Sequence, residues 1–365
     1  MMNQITIIGL GLIGGSLGLA LSNSKKIPQV VGYDIGLSSI QEAVAKGAVH
    51  WGTTGLKLAV EHADAVLLAV PVGQMKKIVQ NILPFLKNHC IIFDVGSTKN
   101  DLLQELSPMI PPKIYLIGGH PMAGSERAGI SGAHPYLFEN AIFVLTPQGH
   151  SNEQALKTVV ELVELVGAKV KMMSPEVHDQ IVAGVSHLPY LVAVSLVNTV
   201  HELSEELVDA PLLAAGGFRD TTRIAGGDPV MWRDISLSNR DNIIKMIDSF
   251  EKHLAEIKNT LEIRDENNLI HTFTQAQKNR EQIPITYRGA LPEVYELLVT
   301  VPDQPGMLSI ITGSLGNRSV NISEIEVLQV RENQEGTIRL AFQKKSDLDC
   351  ALDILLKQGI PVKRR

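Results

Sequence analysis

Reactive side chains cluster most sharply at Gly118-Gly119-His120-Pro121-Met122-Ala123-Gly124-Ser125-Glu126-Arg127. This stretch follows a strand-like run, Lys113 to Ile117. Paired glycines open backbone conformations that other residues avoid, and Pro121 fixes its own φ. Between them stands one histidine. An imidazole with an unperturbed pKa of about 6.5 accepts a proton near neutral pH. The carboxyl end of a strand in an open α/β sheet is also where such sheets bind ligands. A turn with a buried, hydrogen-bonded histidine is the plainer alternative.

A second cluster is made of glycine. The β-rich run Gln4 to Ile8 leads into Gly9-Leu10-Gly11-Leu12-Ile13-Gly14. In a G-x-G-x-x-G pattern the first glycine makes a tight turn. The second lets backbone approach a pyrophosphate, and the third lets helix pack on strand. The helix expected from Leu12 to Ser22 points its positive end at the phosphates. A second strand, Gln29 to Tyr33, ends in Asp34, where a carboxylate binds the ribose hydroxyls of NAD and repels the 2′-phosphate of NADP. Strand-like runs recur at 64–71, 91–95, 114–117, 141–145 and 168–172, with a helical pattern over 152–166. Strands separated by helices predict a Rossmann-type doubly wound sheet. Ser97, like His120, falls just past a strand end, where it could also cap a helix starting near Thr98.

From Pro175 to about Asn279 the pattern is helical. The largely apolar stretch 177–200 suggests burial on most sides, as at a subunit interface. Ser186-His187-Leu188-Pro189-Tyr190 restarts a helix, with His187 and Tyr190 on one face. Asp220 and Arg223 are spaced for a local helix ion pair. Asp228 and Pro229 open a helix carrying Trp232, and a long amphipathic helix runs from Asn242 to about Asn268. After a proline-containing linker at 282–292, the order βαββαβ predicts a ferredoxin-like plait.

Composition narrows the class. The chain has 365 residues, 44% hydrophobic and 20% charged, with a net charge of −6 and only Cys90 and Cys350. Nucleic acid is not the expected partner, and no disulfide framework or cysteine-based metal site is expected. With no signal peptide or membrane-length apolar run, a cytoplasmic protein without membrane contact is expected.

The glycine turn, the run Asp94-Val95-Gly96-Ser97-Thr98-Lys99, the His120 loop, the turn from Ser186 to Pro189 and Phe218-Arg219-Asp220-Thr221-Thr222-Arg223-Ile224-Ala225 occur in this order. Together they resemble the prephenate dehydrogenase family. The resemblance implies a Rossmann domain over 1–172 and an all-helical dimerisation and substrate domain over 173–284. It implies oxidative decarboxylation of prephenate with NAD to 4-hydroxyphenylpyruvate, CO2 and NADH, on the route to L-tyrosine, by a homodimer that needs no metal. His120 would be the base, oriented by Ser97. Arg223 would hold a substrate carboxylate. Glu126, Ser125, His187, Tyr190 and Asp220 would shape the pocket, and Trp232 would reach the pocket of the other subunit. The cofactor set is Gly9, Gly11, Leu12, Ile13, Gly14, Asp34, Val70, Pro71 and Ser97. Tyr190 stands where family members often carry a second histidine, which touches substrate preference. The plait over 293–365 resembles an ACT domain through its turn from Asp303 to Gly306 and through Asn321-Ile322, and implies feedback by L-tyrosine. An arogenate dehydrogenase and a non-catalytic amino-acid sensor are the competing readings.

Overall fold

A computed structural model describes residues 2–24, 26–124, 129–148, 152–283, 295–302, 304–329 and 335–364. Ser125, Glu126, Asp303 and most of the linker at 282–292 lie outside the described residues. The chain forms two compact units, Met1–Gly289 and Ala290–Arg365.

The first unit is built on an eight-stranded sheet in the order β3-β2-β1-β4-β5-β6-β7-β8. Its strands are β1 Gln4–Ile8, β2 Gln29–Tyr33, β3 Trp51–Thr53, β4 Ala65–Leu68, β5 Ile91–Asp94, β6 Tyr115–Pro121, β7 Ile142–Pro147 and β8 Lys169–Met172. Strands β1, β4 and β5 are buried along their whole length, as the continuous apolar runs of a sheet covered on both faces require. Helices α1 Leu12–Ser22, α2 Leu37–Ala45, α3 Leu56–Val60, α4 Val72–Ile82, α5 Asn100–Leu106 and α6 Glu153–Leu165 alternate with the strands. Two apolar clusters form the core: Ile5, Ile7, Leu17, Phe143 and Val159 belong to one, Ile8, Val66, Leu68, Met75 and Leu103 to the other. Strand β3 has no signature in the sequence. It is three residues long and, among the described residues, pairs only with β2.

The sheet corrects the expectation for His120. The residue lies inside β6, not past its end, and faces Val144 in the antiparallel partner β7. Parallel pairing with β5 stops at Phe93 and Ile117, so β6 projects beyond its other neighbour. His120 therefore still reaches the crevice at the carboxyl end of β5. Gly118 and Gly119 have no positive φ. They serve close approach instead. A Cβ on Gly119 would lie 2.4 Å from the Phe93 ring, and one on Gly118 2.3 Å from Thr146 Oγ1.

The helical part corrects two boundaries. α7 Pro175–Val182 passes through a π turn, Ala183–His187, into α8 Leu188–Glu206. No break occurs at Ser186. Pro189 enters in the first turn of α8 and lacks an N–H, and the wide turn before it shifts the hydrogen-bond pattern so that the helix continues. α8 is also less covered than its composition suggests: only Tyr190 and Ala193 are buried. α9 Gly216–Thr222 and α10 Pro229–Ser238 follow, the latter capped by Asp228, whose side chain accepts from Met231 N at 2.7 Å. The long helix expected to Asn268 is two, α11 Arg240–Glu262 and α12 Glu266–Glu281. Arg264 takes a left-handed φ of 54° between them, and Asp265 caps α12. The continuous helix Pro175–Glu206 is long and apolar enough to cross a membrane by length and composition. Its buried His178, Asp179 and His187 are instead hydrogen-bonded to β6, to the start of α5 and to Asn239.

The second unit comprises β9 Tyr295–Pro302, α13 Met307–Gly316, β10 Glu324–Gln329, β11 Glu335–Phe342, α14 Lys345–Lys357 and β12 Val362–Arg364. They form an antiparallel sheet ordered β10-β11-β9-β12, the expected plait. Leu297, Val299, Ile311, Leu340, Phe342 and Leu355 form its core. Arg339 on β11 binds Glu296, Glu324 and Glu326 from the two neighbouring strands. The second strand starts at Glu324, not Val320, which leaves Asn321 and Ile322 in the preceding connection.

Candidate active site

The glycine turn is shaped by backbone contacts. Gly9 has φ +95°, and a Cβ there would meet Ala69 O at 2.4 Å. A Cβ on Gly14 would fall 1.9 Å from Gly9 O, so only glycine lets α1 approach the turn. Beside Gly11 a Cβ would meet nothing within 4 Å, which leaves room for a ligand to approach the main chain. No side chain caps α1 and no acid stands in its first turn, so the N–H groups around Leu12 and Ile13 suit an anion. Asp34 Oδ2 accepts from Leu10 N at 2.9 Å and Oδ1 from Gly36 N at 2.8 Å. Each oxygen keeps a lone pair for a ribose hydroxyl. Val70 is half-buried, and Pro71 is the N-cap of α4. These residues fit a dinucleotide.

At the crevice stands a line of polar side chains. His120 Nδ1 lies 2.8 Å from His178 Nε2, with the rings edge to face at 71°. His178 Nδ1 lies 2.7 Å from Asp179 Oδ1. The Asp179 carboxylate also accepts Lys99 N at 2.9 Å and Asn100 N at 2.8 Å, which caps α5 from a distant helix. Asn239 donates to Asp179 O at 2.8 Å and meets His187 Nδ1 at 3.2 Å. The chemistry of these groups sets the tautomers. An ionised carboxylate only accepts, so His178 carries its proton on Nδ1 and presents Nε2 as an acceptor. His120 must then donate from Nδ1, which leaves a lone pair on its Nε2.

Electrostatics agree with a neutral base. Burial pushes the His120 imidazole well below its ordinary value, and the neighbouring His178, Lys99 and His187 push the same way. Burial likewise lowers His187 to about 4, against an opposing pull from Asp179. Lys99 is fully buried and pairs with Asp94, whose Oδ1 also accepts Gly96 N at 2.8 Å. Burial lowers the Lys99 ammonium and Asp94 opposes this.

Ser97 is half-buried in the segment between β5 and α5. It does not cap α5: that helix starts at Asn100, and its cap is the Asp179 carboxylate. Nor does it hold His120 Nδ1, which is engaged by His178. Tyr190 stacks on Trp232 with ring centroids 3.6 Å apart and 6° between planes. Trp232 also stands edge-on to His187 at 6.1 Å. Trp232 thus packs within its own chain. A Cβ on Gly227 would meet its indole Nε1 at 2.5 Å, which ties it to the 3-10 turn Arg223–Gly226. α9 ends at Thr222, so Asp220 and Arg223, both exposed, do not share one α-helical face.

His178, Asp179, Asn239 and the buried Asp94–Lys99 pair escaped sequence reasoning. The adjacent His178-Asp179 was a usable signal, since two ionisable groups follow the cap Ser174-Pro175 on a helix whose buried positions are otherwise apolar. In the second unit a cavity of about 230 Å³ is lined by Val301, Gln304, Gly306, Met307, Val327 and Ile338, and Gly306 has φ +94°. Asn321 and Ile322 do not line it.

Family comparisons agree with this geometry. Residues 17–172 match the model "prephenate dehydrogenase, nucleotide-binding domain", and residues 174–275 match "prephenate dehydrogenase, dimerization domain". Residues 297–358 match "AHAS small subunit-like ACT domain". The prephenate dehydrogenase of Bacillus subtilis is 37% identical over 351 residues, 95% of this chain and 94% of that protein. The crystal structure of prephenate dehydrogenase from Aquifex aeolicus, in complex with hydroxyphenyl propionate and NAD+, superposes with a TM-score of 0.73 at 36% identity, covering 78% of this chain and 99% of that one. Synechocystis arogenate dehydrogenase superposes with a TM-score of 0.66 at 30% identity, covering 76% and 99%. With family models matching over 17–172 and 174–275 and 37% identity over 95% of its length, the chain belongs to the prephenate dehydrogenase family.

Proposed function

We propose that this chain is an NAD-dependent prephenate dehydrogenase with a tyrosine-responsive C-terminal module. The observation that carries the reading is the histidine line, which leaves His120 neutral with its Nε2 lone pair available on the same sheet as a dinucleotide cradle. Prephenate carries a hydroxyl on ring C4 and a carboxylate on the opposite ring carbon. When bound, NAD supplies the hydride acceptor. His120 Nε2 takes the hydroxyl proton, so the C4–O bond becomes a carbonyl as hydride departs. Loss of CO2 then aromatises the ring, and the ring oxygen, left as a phenolate, takes the proton back from His120. Arg223, on the turn held by Trp232, binds a substrate carboxylate through its planar fork. Ser97 borders the nicotinamide side and Asp220 adds charge near the pocket, while Ser125 and Glu126, outside the described residues, are proposed as further substrate contacts. His187 is buried and neutral, so it offers a hydrogen bond rather than a charge. Tyr190, stacked on Trp232, closes the far end of the pocket.

Residues 1–172 are assigned to cofactor binding, 173–284 to substrate binding and dimerisation, and 293–365 to regulation, in a cytoplasmic enzyme. Exposed Leu196 and Leu203 on α8, Leu254 on α11 and Ile270 and Phe273 on α12 support a homodimer. The Gly306 cavity supports L-tyrosine as effector, and Asn321, which does not line it, would reach the ligand from a second copy. The test is a substrate panel on the full chain: prephenate against arogenate, NAD against NADP, with and without tyrosine. NADH from prephenate, inhibited by tyrosine, is expected. Turnover of arogenate alone would shift the reading to arogenate dehydrogenase, and no NADH from either would favour an amino-acid sensor.

A further inference from the structure

The tautomer argument places His120 as a base, but it leaves open where the positive charge goes. His120 is a poor resting place. Its surroundings are desolvated, with Lys99 and His187 as further positive or potentially positive neighbours. Its own Nδ1–H points at a second imidazole, not at a carboxylate. That second imidazole, His178, is 1% exposed and has the Asp179 carboxylate 2.7 Å from its other nitrogen. Asp179 itself accepts from two main-chain N–H donors, Lys99 and Asn100, which fix its carboxylate in place. Among the described residues, Asp94 is engaged by Lys99.

We propose that His178 is a proton-storing partner of His120, so that the two rings act as a relay in which the charge formed during turnover comes to rest on the His178–Asp179 pair. The inference rests on the prephenate dehydrogenase reading. The balance is as follows. The substrate O–H bond breaks and its proton binds His120 Nε2, while the O–H electron pair becomes the second bond of the C4 carbonyl. The His120 Nδ1–H bond breaks in the same step and that proton binds His178 Nε2. His120 ends neutral with its proton on Nε2, and His178 ends as an imidazolium against a carboxylate. Loss of CO2 leaves the ring oxygen as a phenolate, which takes the proton back from His120 Nε2 while His178 returns its own to His120 Nδ1, so that both rings are reset when 4-hydroxyphenylpyruvate leaves. The charge thus moves from a ring without a carboxylate partner to one that has one, and stays on an imidazole rather than passing onto the carboxylate itself.

His178→Gln separates storage from support. The glutamine carbonyl oxygen can still accept from His120 Nδ1, but an amide cannot hold the extra proton. A relay predicts that kcat falls at least tenfold in His178→Gln with prephenate KM within about twofold, in line with loss of an acid–base partner. It also predicts a curved proton inventory for single-turnover NADH formation in the wild-type enzyme, with two protons in flight, that becomes linear in His178→Gln. A wild-type kcat in His178→Gln, or a linear inventory in the wild-type enzyme, overturns the proposal. If wild-type enzyme forms no NADH from prephenate, the functional reading fails. The relay is then judged by ¹⁵N spectra of the histidine-labelled full chain at neutral pH. Protons on Nδ1 of both His120 and His178 support it, and a proton on His120 Nε2 overturns it.

Discussion

The dinucleotide cradle is made of backbone, whereas the proton-accepting line is made of side chains. In the cradle, Gly9 and Gly14 matter for the atoms they lack, and the contacts they protect are main-chain carbonyls. Along the line, β6, α7, the α5 start and the residue before α11 each contribute one or two groups. The cradle is mostly local, one strand–turn–helix and one carboxylate, closed from outside by Ala69 against Gly9. The line joins residues 58, 80 and 60 positions apart. Errors of shape should therefore disable the cradle, and errors of protonation should disable the line.

The largest expected effect breaks the cradle. Gly14→Ala puts a methyl 1.9 Å from Gly9 O, a clash with main chain that cannot rotate away. The strain should reach or exceed the roughly 3 kcal/mol end of overpacking costs. Urea unfolding and a titration with NAD check this, and an alanine variant with wild-type NAD affinity would show that the turn is not held as described.

The line should answer to pH instead. His187 is lowered to about 4 in the folded chain, against about 6.5 unfolded. Between those values the unfolded chain binds the proton and the folded chain does not, so stability is full above about pH 6.5 and is lost as pH falls toward 4. The contribution is roughly 3 kcal/mol across that window. His187→Gln should flatten this slope in the wild-type minus variant difference, and an unchanged slope would mean that His187 is not held neutral by burial.

A smaller effect is expected at Arg223, which is exposed and is proposed to hold a substrate carboxylate. Arg223→Ala should raise KM for prephenate about 30-fold, the equivalent of roughly 2 kcal/mol for a charge-assisted contact, with NAD affinity as control. Arg223→Lys should recover little of the loss, since a point charge lacks the fork. Unchanged KM in Arg223→Ala would place the arginine in the helical scaffold alone.

The same contrast explains what the sequence made legible. The glycine turn, Asp34 and the alternating strands follow from spacing within short windows, and β1, β2 and the C-terminal plait lie close to where pattern places them. His120 stands out through its glycines, yet their purpose was hidden: Gly119 yields to the Phe93 ring, a contact between strands that no local pattern encodes. Asp179 capping α5 and Asn239 joining Asp179 to His187 are tertiary pairings of the same kind. The helix boundaries at Ser186 and Arg264 were misread because a π turn and a single left-handed residue leave the apolar periodicity almost unchanged.

The account turns on a neutral His120 whose Nε2 accepts the substrate proton, and the pH dependence of prephenate oxidation tests it most directly. A base is active only when neutral, so activity is lost as pH falls through its pKa. Because burial holds His120 well below the ordinary histidine value, wild-type kcat/KM should stay level as pH falls through about 6.5 and decline only under more acidic conditions. His120→Asn should lower kcat by about 10²–10⁴ with prephenate binding largely kept, and should lose the acid limb. A near wild-type kcat in His120→Asn would contradict the assignment.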